Sequence, residues 1–282
     1  MNIIDAIVLG IIQGFSEFLP ISSTGHLTLA GKLIHLVSPE APEKWTSFIA
    51  VIQLGTLISI LIYFRKDIFN IINNFVTDNL KERKSFTNQS LNSKLGWFII
   101  IGTIPVIIFG LSFKHIIEGT LTKNLYVISG SLIGLAIILA IAEKTAKFKK
   151  EIKDITIKDS IIIGIAQAFA LIPGSSRSGT TITGGLFVGL DRESAARFSF
   201  LLSMPAVFLS GVFELYESLK FIDLSLITNM IVSTIVSGIC GYIAIDFLLK
   251  YLRKNTTFLF IYYRIALGIA IIILITSGFI QP

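Results

Sequence analysis

The chain has 282 residues, of which 53% are hydrophobic and 15% charged, with a mean hydropathy of +0.79 and a formal net charge of +6. That balance excludes an ordinary soluble globular protein. It gives no support to nucleic-acid binding either, because the cations flank apolar runs, where anionic lipid and membrane topology account for them.

Met1 to Leu19 has no basic leader and no small-residue cleavage site, and polar residues interrupt it, so it reads as structure and not as a signal peptide. It carries the first polar break, Gln13-Gly-Phe-Ser-Glu17-Phe-Leu-Pro20-Ile-Ser-Ser-Thr-Gly-His26. Apolar runs long enough to cross a bilayer follow at 45–64, 95–113, 125–142, 196–216, 226–249 and 258–278. Each should be a helix, since lipid leaves a lone span no other way to pair its backbone. Between the third and fourth runs lies a second break, Gln167-Ala-Phe-Ala-Leu-Ile-Pro173-Gly-Ser-Ser-Arg177-Ser-Gly-Thr180. Cys240 is the single cysteine and leaves no second thiol for an intramolecular disulfide.

Cations concentrate in Arg65 to Lys94, in Lys144 to Lys158 and at Lys250, Arg253 and Lys254. By the positive-inside rule these segments face the cytoplasm, and the loops at Lys114 to Lys123 and Glu214 to Asp223 face outward. The span at 45–64 then runs inward and the span at 196–216 outward. Each break must therefore begin and end on its own side, the first dipping in from outside and the second, within 159–195, from inside. Asp5, Gly10, Gln13, Phe15 and Pro20 match Asp159, Gly164, Gln167, Phe169 and, after a one-residue shift, Pro173. The expected fold is an all-α integral membrane protein with about six transmembrane helices and two re-entrant helical hairpins in an inverted-topology repeat. It forms one polytopic domain over 1–282, with repeat halves at approximately 1–142 and 155–282 joined by a basic cytoplasmic loop.

Pro20 and Pro173 end the first helix of each hairpin. Ser22, Ser23 and Thr24, and likewise Ser175 and Ser176, then stand where caps of the returning helix belong. Two opposed helix starts form an anion site. Arg177 adds a planar cationic fork suited to phosphate, or else pairs structurally with Glu17. Gly25, Gly174 and Gly179 allow a close backbone approach, or serve only in helix packing. Gln13 and Glu17 share a helix face and offer oxygens to a hard cation, Mg²⁺ first and Ca²⁺ as the alternative. Ser23 and His26, three apart, form a candidate nucleophile and base. His35 and His115 read as solvated or interfacial.

These residues resemble the bacitracin-resistance family of undecaprenyl-diphosphate phosphatases. The first family motif, Glu or Gln, three residues, then Glu, followed by Pro-Ile-Ser-Ser-Thr-Gly-His, falls on Gln13, Glu17 and Pro20 to His26. The second, Pro-Gly-x-Ser-Arg-Ser-Gly with threonine after it, falls on Pro173 to Gly179, Thr180 and Thr181, and the likeness extends to Ser199 through Pro205. The resemblance implies a bacterial cytoplasmic-membrane enzyme that removes the terminal phosphate of undecaprenyl diphosphate, renewing the lipid carrier of peptidoglycan synthesis and conferring bacitracin resistance. Glutamine at 13 is a weaker cation ligand than glutamate. Type 2 phosphatidic acid phosphatases share Ser-Gly-His and Ser-Arg elements but need a later histidine, and none follows His115.

The expected catalytic set is Glu17, Ser23, His26 and Arg177, with His26 as the alternative nucleophile. Substrate contacts are expected from Ser22, Thr24, Gly174, Ser175, Ser176, Ser178, Gly179 and Thr180, and cation contacts from Gln13 and Glu17. Expected partners are a polyprenyl diphosphate lipid and membrane lipids, with a homodimer as a candidate assembly and no nucleic acid. The site should open to the outer face. The rival reading is an inverted-repeat transporter or lipid flippase; an ion channel would need a polar lining along several spans.

Overall fold

The computed structural model describes residues 1–37, 42–218 and 224–282, so the outer loop expected at 214–223 lies outside the described residues from 219 onward. Among the described residues the only extended pairing is one bridge between Lys150 and Leu190. The chain opens with α1 (Ile3–Phe18), whose start is closed by a reciprocal box. Asn2 Oδ1 accepts from the Asp5 amide at 2.9 Å and Asp5 Oδ2 from the Asn2 amide at 2.8 Å. Leu19 is already extended, as the residue before Pro20 must be. The chain returns in α2 (Ser23–Leu33) and continues through α3 (Pro42–Tyr63), α4 (Arg65–Val76), α5 (Leu91–Ser112), α6 (Lys114–Glu118) and α7 (Leu125–Thr145). Then α8 (Ile157–Ala168) begins with a second such box, Thr156 with Asp159. It is followed by α9 (Arg177–Phe187), α10 (Arg192–Ser218), α11 (Leu224–Leu252) and α12 (Phe258–Thr276).

Among the described residues α3, α5, α7, α10, α11 and α12 are long and apolar enough to cross a membrane, and they coincide with the six expected runs. The expected loop 65–94 instead contains α4, an amphipathic helix with Ile71 buried and Phe69 and Ile72 exposed.

Polar contacts define two ends of the bundle. At one, Arg192 Nε donates to Glu143 at 2.7 Å, Thr257 donates to the other Glu143 oxygen at 2.9 Å, and Arg197 meets Asp67 at 2.8 Å. These bonds gather the start of α4, the end of α7 and the starts of α10 and α12. At the other end, Ser47 donates to Glu214 at 2.7 Å, Asn229 to the Met1 carbonyl at 2.9 Å and Lys32 to the Gln281 carbonyl at 3.2 Å. Because α1 starts at this second end and α8, whose Asp159 binds Lys150 at 2.9 Å, starts at the first, the two hairpins enter from opposite ends.

Each entering helix packs on a span of the other half, α1 on α11 and α8 on α5. The matched glycines make this possible. A Cβ on Gly10 would lie 2.7 Å from the Ser233 carbonyl oxygen, and one on Gly164 would lie 2.4 Å from that of Gly102. Serine hydroxyls cross both seams, Ser233 to the Ala6 carbonyl at 2.7 Å and Ser160 to the Phe98 carbonyl at 2.5 Å. These paired seams are consistent with an inverted repeat. Beneath the first tip Phe18 meets Phe200 edge-on, with ring centroids 5.1 Å apart, closing the apolar core against the polar centre.

Candidate active site

The two tips are built alike. Ser22 has φ 76° and ψ 97°, and Ser176 has φ 70° and ψ 110°, a region that non-glycine residues seldom occupy. Each hydroxyl oxygen accepts from the amide three residues on, that of Gly25 or Gly179, at 3.1 Å in both cases. The cap offsets part of the backbone strain. The expected caps are thus Ser22 and Ser176, which leaves Ser23 and Ser175 free of that duty. Gly174, at φ 88°, is the position where glycine is required, since a Cβ there would lie 2.5 Å from the Ile128 carbonyl oxygen. A Cβ on Gly179 would lie 2.6 Å from Arg264 Nη1 and would displace that guanidinium. A Cβ on Gly25 would be tight against Ser22 Oγ at 3.3 Å, so that hydroxyl would have to give by a few tenths of an ångström.

The tips meet on one carboxylate. Glu17 Oε2 accepts from Gln13 Nε2 at 2.9 Å and from Ser23 Oγ at 2.7 Å, and Glu17 Oε1 accepts from Arg177 Nη2 across the interface. Glu17 is 6% exposed and Gln13 fully buried, so the charge is compensated by donors and not by water. Ser178 Oγ adds a second link between the tips, donating to the Leu19 carbonyl at 3.1 Å. Of the two sequence alternatives for Arg177, the pair with Glu17 is the one present in the structure.

Other expected residues fall around this centre. Ser175 Oγ is buried and unpartnered, a hydroxyl left for a ligand or water. Thr180 Oγ1 donates to the Arg177 carbonyl at 3.0 Å within its own helix, and Ser176 Oγ lies 3.2 Å from Ser178 Oγ. Thr24, in the first turn of α2, is partly buried. The expected approach of His26 to Ser23 is absent. The imidazole Nδ1 lies 2.7 Å from the Ser22 carbonyl oxygen and Nε2 lies 2.7 Å from Tyr263 Oη, while the Ser23 hydrogen goes to Glu17.

Gln13 must point its amide nitrogen at Glu17, because a carboxylate only accepts, so Gln13 Oε1 faces away and is buried without a partner. One carboxylate and one orphan amide oxygen suit a hard cation that keeps most of its shell from water or phosphate oxygens. Among the described residues no group of three or more His, Cys, Asp or Glu side chains could hold a metal unaided.

Residues 6–270 match the family described as bacitracin resistance protein BacA. The chain belongs to that family. Among its curated relatives, the undecaprenyl-diphosphatase of Syntrophobacter fumaroxidans is 53% identical over 272 residues, covering 96% of this chain and 97% of that protein. That of Pelodictyon phaeoclathratiforme is 52% identical over an alignment of 291 residues spanning both chains fully. That of Chlorobaculum tepidum is 49% identical over the same extent.

In this BacA family member two polar side chains join the site that the motifs did not single out. Arg264, fully buried in α12, donates from Nη2 to the Ser175 carbonyl at 2.9 Å and from Nε to the Leu132 carbonyl at 3.2 Å, with Nη1 unpartnered. Tyr263 beside it reaches His26. Gln167, matched with Gln13 in the repeat, is fully buried with both amide atoms unpartnered, for the residue four further on is Leu171 and not a carboxylate.

Proposed function

We propose that this chain is a membrane-embedded undecaprenyl-diphosphate phosphatase that hydrolyses its substrate to undecaprenyl phosphate and inorganic phosphate and so returns the lipid carrier to peptidoglycan synthesis. The observation that carries the reading is Glu17, joined at once to Gln13, to the Ser23 hydroxyl and to Arg177 of the opposite tip. Phosphoryl transfer needs positioning and charge neutralisation more than elaborate covalent machinery. Arg177, the unpartnered Ser175 hydroxyl and the starts of α2 and α9 supply charge and donors for the diphosphate.

Ser23 Oγ attacks the terminal phosphorus as Glu17 takes its proton. The P–O bond to the lipid phosphate breaks, and the leaving undecaprenyl phosphate carries off the bonding pair. Water then cleaves the phosphoserine, giving inorganic phosphate and restoring the serine. A divalent cation, Mg²⁺ or Ca²⁺, held by Glu17 or by the Gln13 amide oxygen would supply further neutralisation of phosphate charge. The distribution of lysine and arginine supports a cytoplasmic-membrane enzyme whose site opens to the outer face.

The test is phosphate release by purified protein from undecaprenyl diphosphate, with Arg177→Ala alongside. Release by the wild type and loss in the variant support the reading. Wild-type protein that moves the lipid between leaflets without releasing phosphate would instead favour a flippase.

A further inference from the structure

Both ring nitrogens of His26 are engaged, and their partners fix what the ring can do. The Ser22 carbonyl oxygen, 2.7 Å from Nδ1, can only accept, so Nδ1 carries the hydrogen. That leaves Nε2 as the one basic position of the neutral ring, and it accepts from the Tyr263 hydroxyl at 2.7 Å. The two rings lie nearly parallel, 6° between planes with centroids 5.6 Å apart, so the tyrosine restrains the tilt of the imidazole. Tyr263 is itself fixed by its neighbour, because Arg264 ties the same turn of α12 to the Leu132 and Ser175 carbonyls. Adjacent residues of one helix thus hold the two tips, Tyr263 the first and Arg264 the second.

We propose that Tyr263 is a positioning residue for the hydrolysis: its hydroxyl holds the His26 ring, whose Nδ1–H tautomer the Ser22 carbonyl sets, with Nε2 as a hydrogen-bond acceptor, leaving Glu17 as the partner of the Ser23 hydroxyl. The proposal rests on the phosphatase reading of the same site. The Ser22 carbonyl alone leaves the imidazole free to tilt about that one bond; with Tyr263 the ring has two anchors. A proton arriving at Nε2 reverses the second bond, Nε2–H then donating to the tyrosine oxygen, with no movement of either ring.

Tyr263→Phe keeps the stacked ring and removes only the hydroxyl. In protein labelled with ¹⁵N at histidine, the His26 signal, identified by its loss in His26→Ala, should show a protonated Nδ1 and a hydrogen-bonded Nε2. In Tyr263→Phe the Nε2 signal should move toward that of a free acceptor nitrogen. Turnover should fall about tenfold with KM within about twofold, the pattern of a lost interaction that acts in the transition state. In the His26→Ala background the same substitution should have no further effect on residual turnover, since residues that act as one unit are not additive. An unchanged Nε2 signal, or a raised KM with kcat intact, overturns the proposal. Wild-type protein that releases no phosphate sinks the phosphatase reading itself, and the positioning role with it. Normal wild-type turnover with no kcat change in Tyr263→Phe sinks only the latter.

Discussion

A buried carboxylate that accepts from an amide, a hydroxyl and a guanidinium has the compensation its charge requires, and each of those donors depends on it in turn. Glu17→Gln keeps the shape but turns its NH₂ toward either Arg177 or the Gln13 and Ser23 donors, and leaves no group to take the Ser23 proton. Turnover should fall by about 10²–10⁴-fold, and the melting temperature should drop because Arg177 loses its partner. Phosphate release across a Mg²⁺ series, with a chelated control and a thermal melt, checks both. Near-normal rates would remove Glu17 from the mechanism.

The adjacent serines divide differently. Ser22→Ala loses a cap worth about 1 kcal/mol and places alanine at φ 76°, whereas Ser22→Gly suits that backbone and should be the more stable of the two. Ser23→Ala should leave the fold intact and lower turnover by several orders of magnitude. If Ser23→Ala stays active while His26→Ala is dead, a phosphohistidine or an activated water replaces the serine nucleophile.

Gln13, Glu17, Ser23 and Arg177 were legible in sequence because polar residues are conspicuous in so apolar a chain. Tyr263 and Arg264 were not, since the run 258–278 reads as one span. The signal was present all the same, for an arginine inside a span is as costly there as at Arg177.

At the scale of elements, the hairpins were legible from proline, serine and charge together, while what holds them in place was not. Close helix approach depends on which glycines face a neighbour, and no spacing rule states that. Gly164 abuts the Gly102 backbone, and Gly110 has nothing within 4 Å. Gly164→Ala should force α8 from α5 and destabilise the protein strongly. Gly110→Ala should be neutral or should stabilise by up to about 1 kcal/mol through helix propensity. Melting temperatures in a fixed detergent decide it, and equal values for the two variants would deny the seam its role.

The segment after α4 was read as a cationic loop, yet it is tied by Asp78. Its carboxylate accepts from Lys84 Nζ at 2.9 Å and from the Ser90 amide and hydroxyl at 2.8 and 2.7 Å. The Lys84 and Ser90 bonds hold Asp78 at about 2, against an ordinary value near 3.8. A depressed carboxylate contributes its stabilisation above the ordinary value and loses it as pH falls through the lowered one. Amide exchange at Ser90 should therefore stay slow down to about pH 4 and rise only as the pH approaches 2. Asp78→Asn should exchange quickly throughout, and slow exchange in that variant would show that the carboxylate does not hold the loop.

At the scale of the whole molecule, the six spans were legible because their apolar runs coincide with helices whose length the bilayer sets. How the two halves pack on one another was not legible in the sequence: each entering helix is seated on a span of the other half. Which end of the bundle faces the cytoplasm is a question of charge. The end that gathers Arg192, Arg197 and Arg253 also carries the lysines of 144–158, and retaining that end inside agrees with the positive-inside rule. The first hairpin, which brings Glu17 and Ser23 to the centre, starts from the opposite end, so the same assignment aims its mouth outward. In a Cys240→Ser background, a cysteine at Lys149 should be shielded from a membrane-impermeant thiol reagent in intact cells. It should become reactive once the membrane is opened. A cysteine at Gly119, in the turn after α6, should label in intact cells. Reversed labelling would overturn the orientation, and with it a phosphatase that meets its substrate at the outer face.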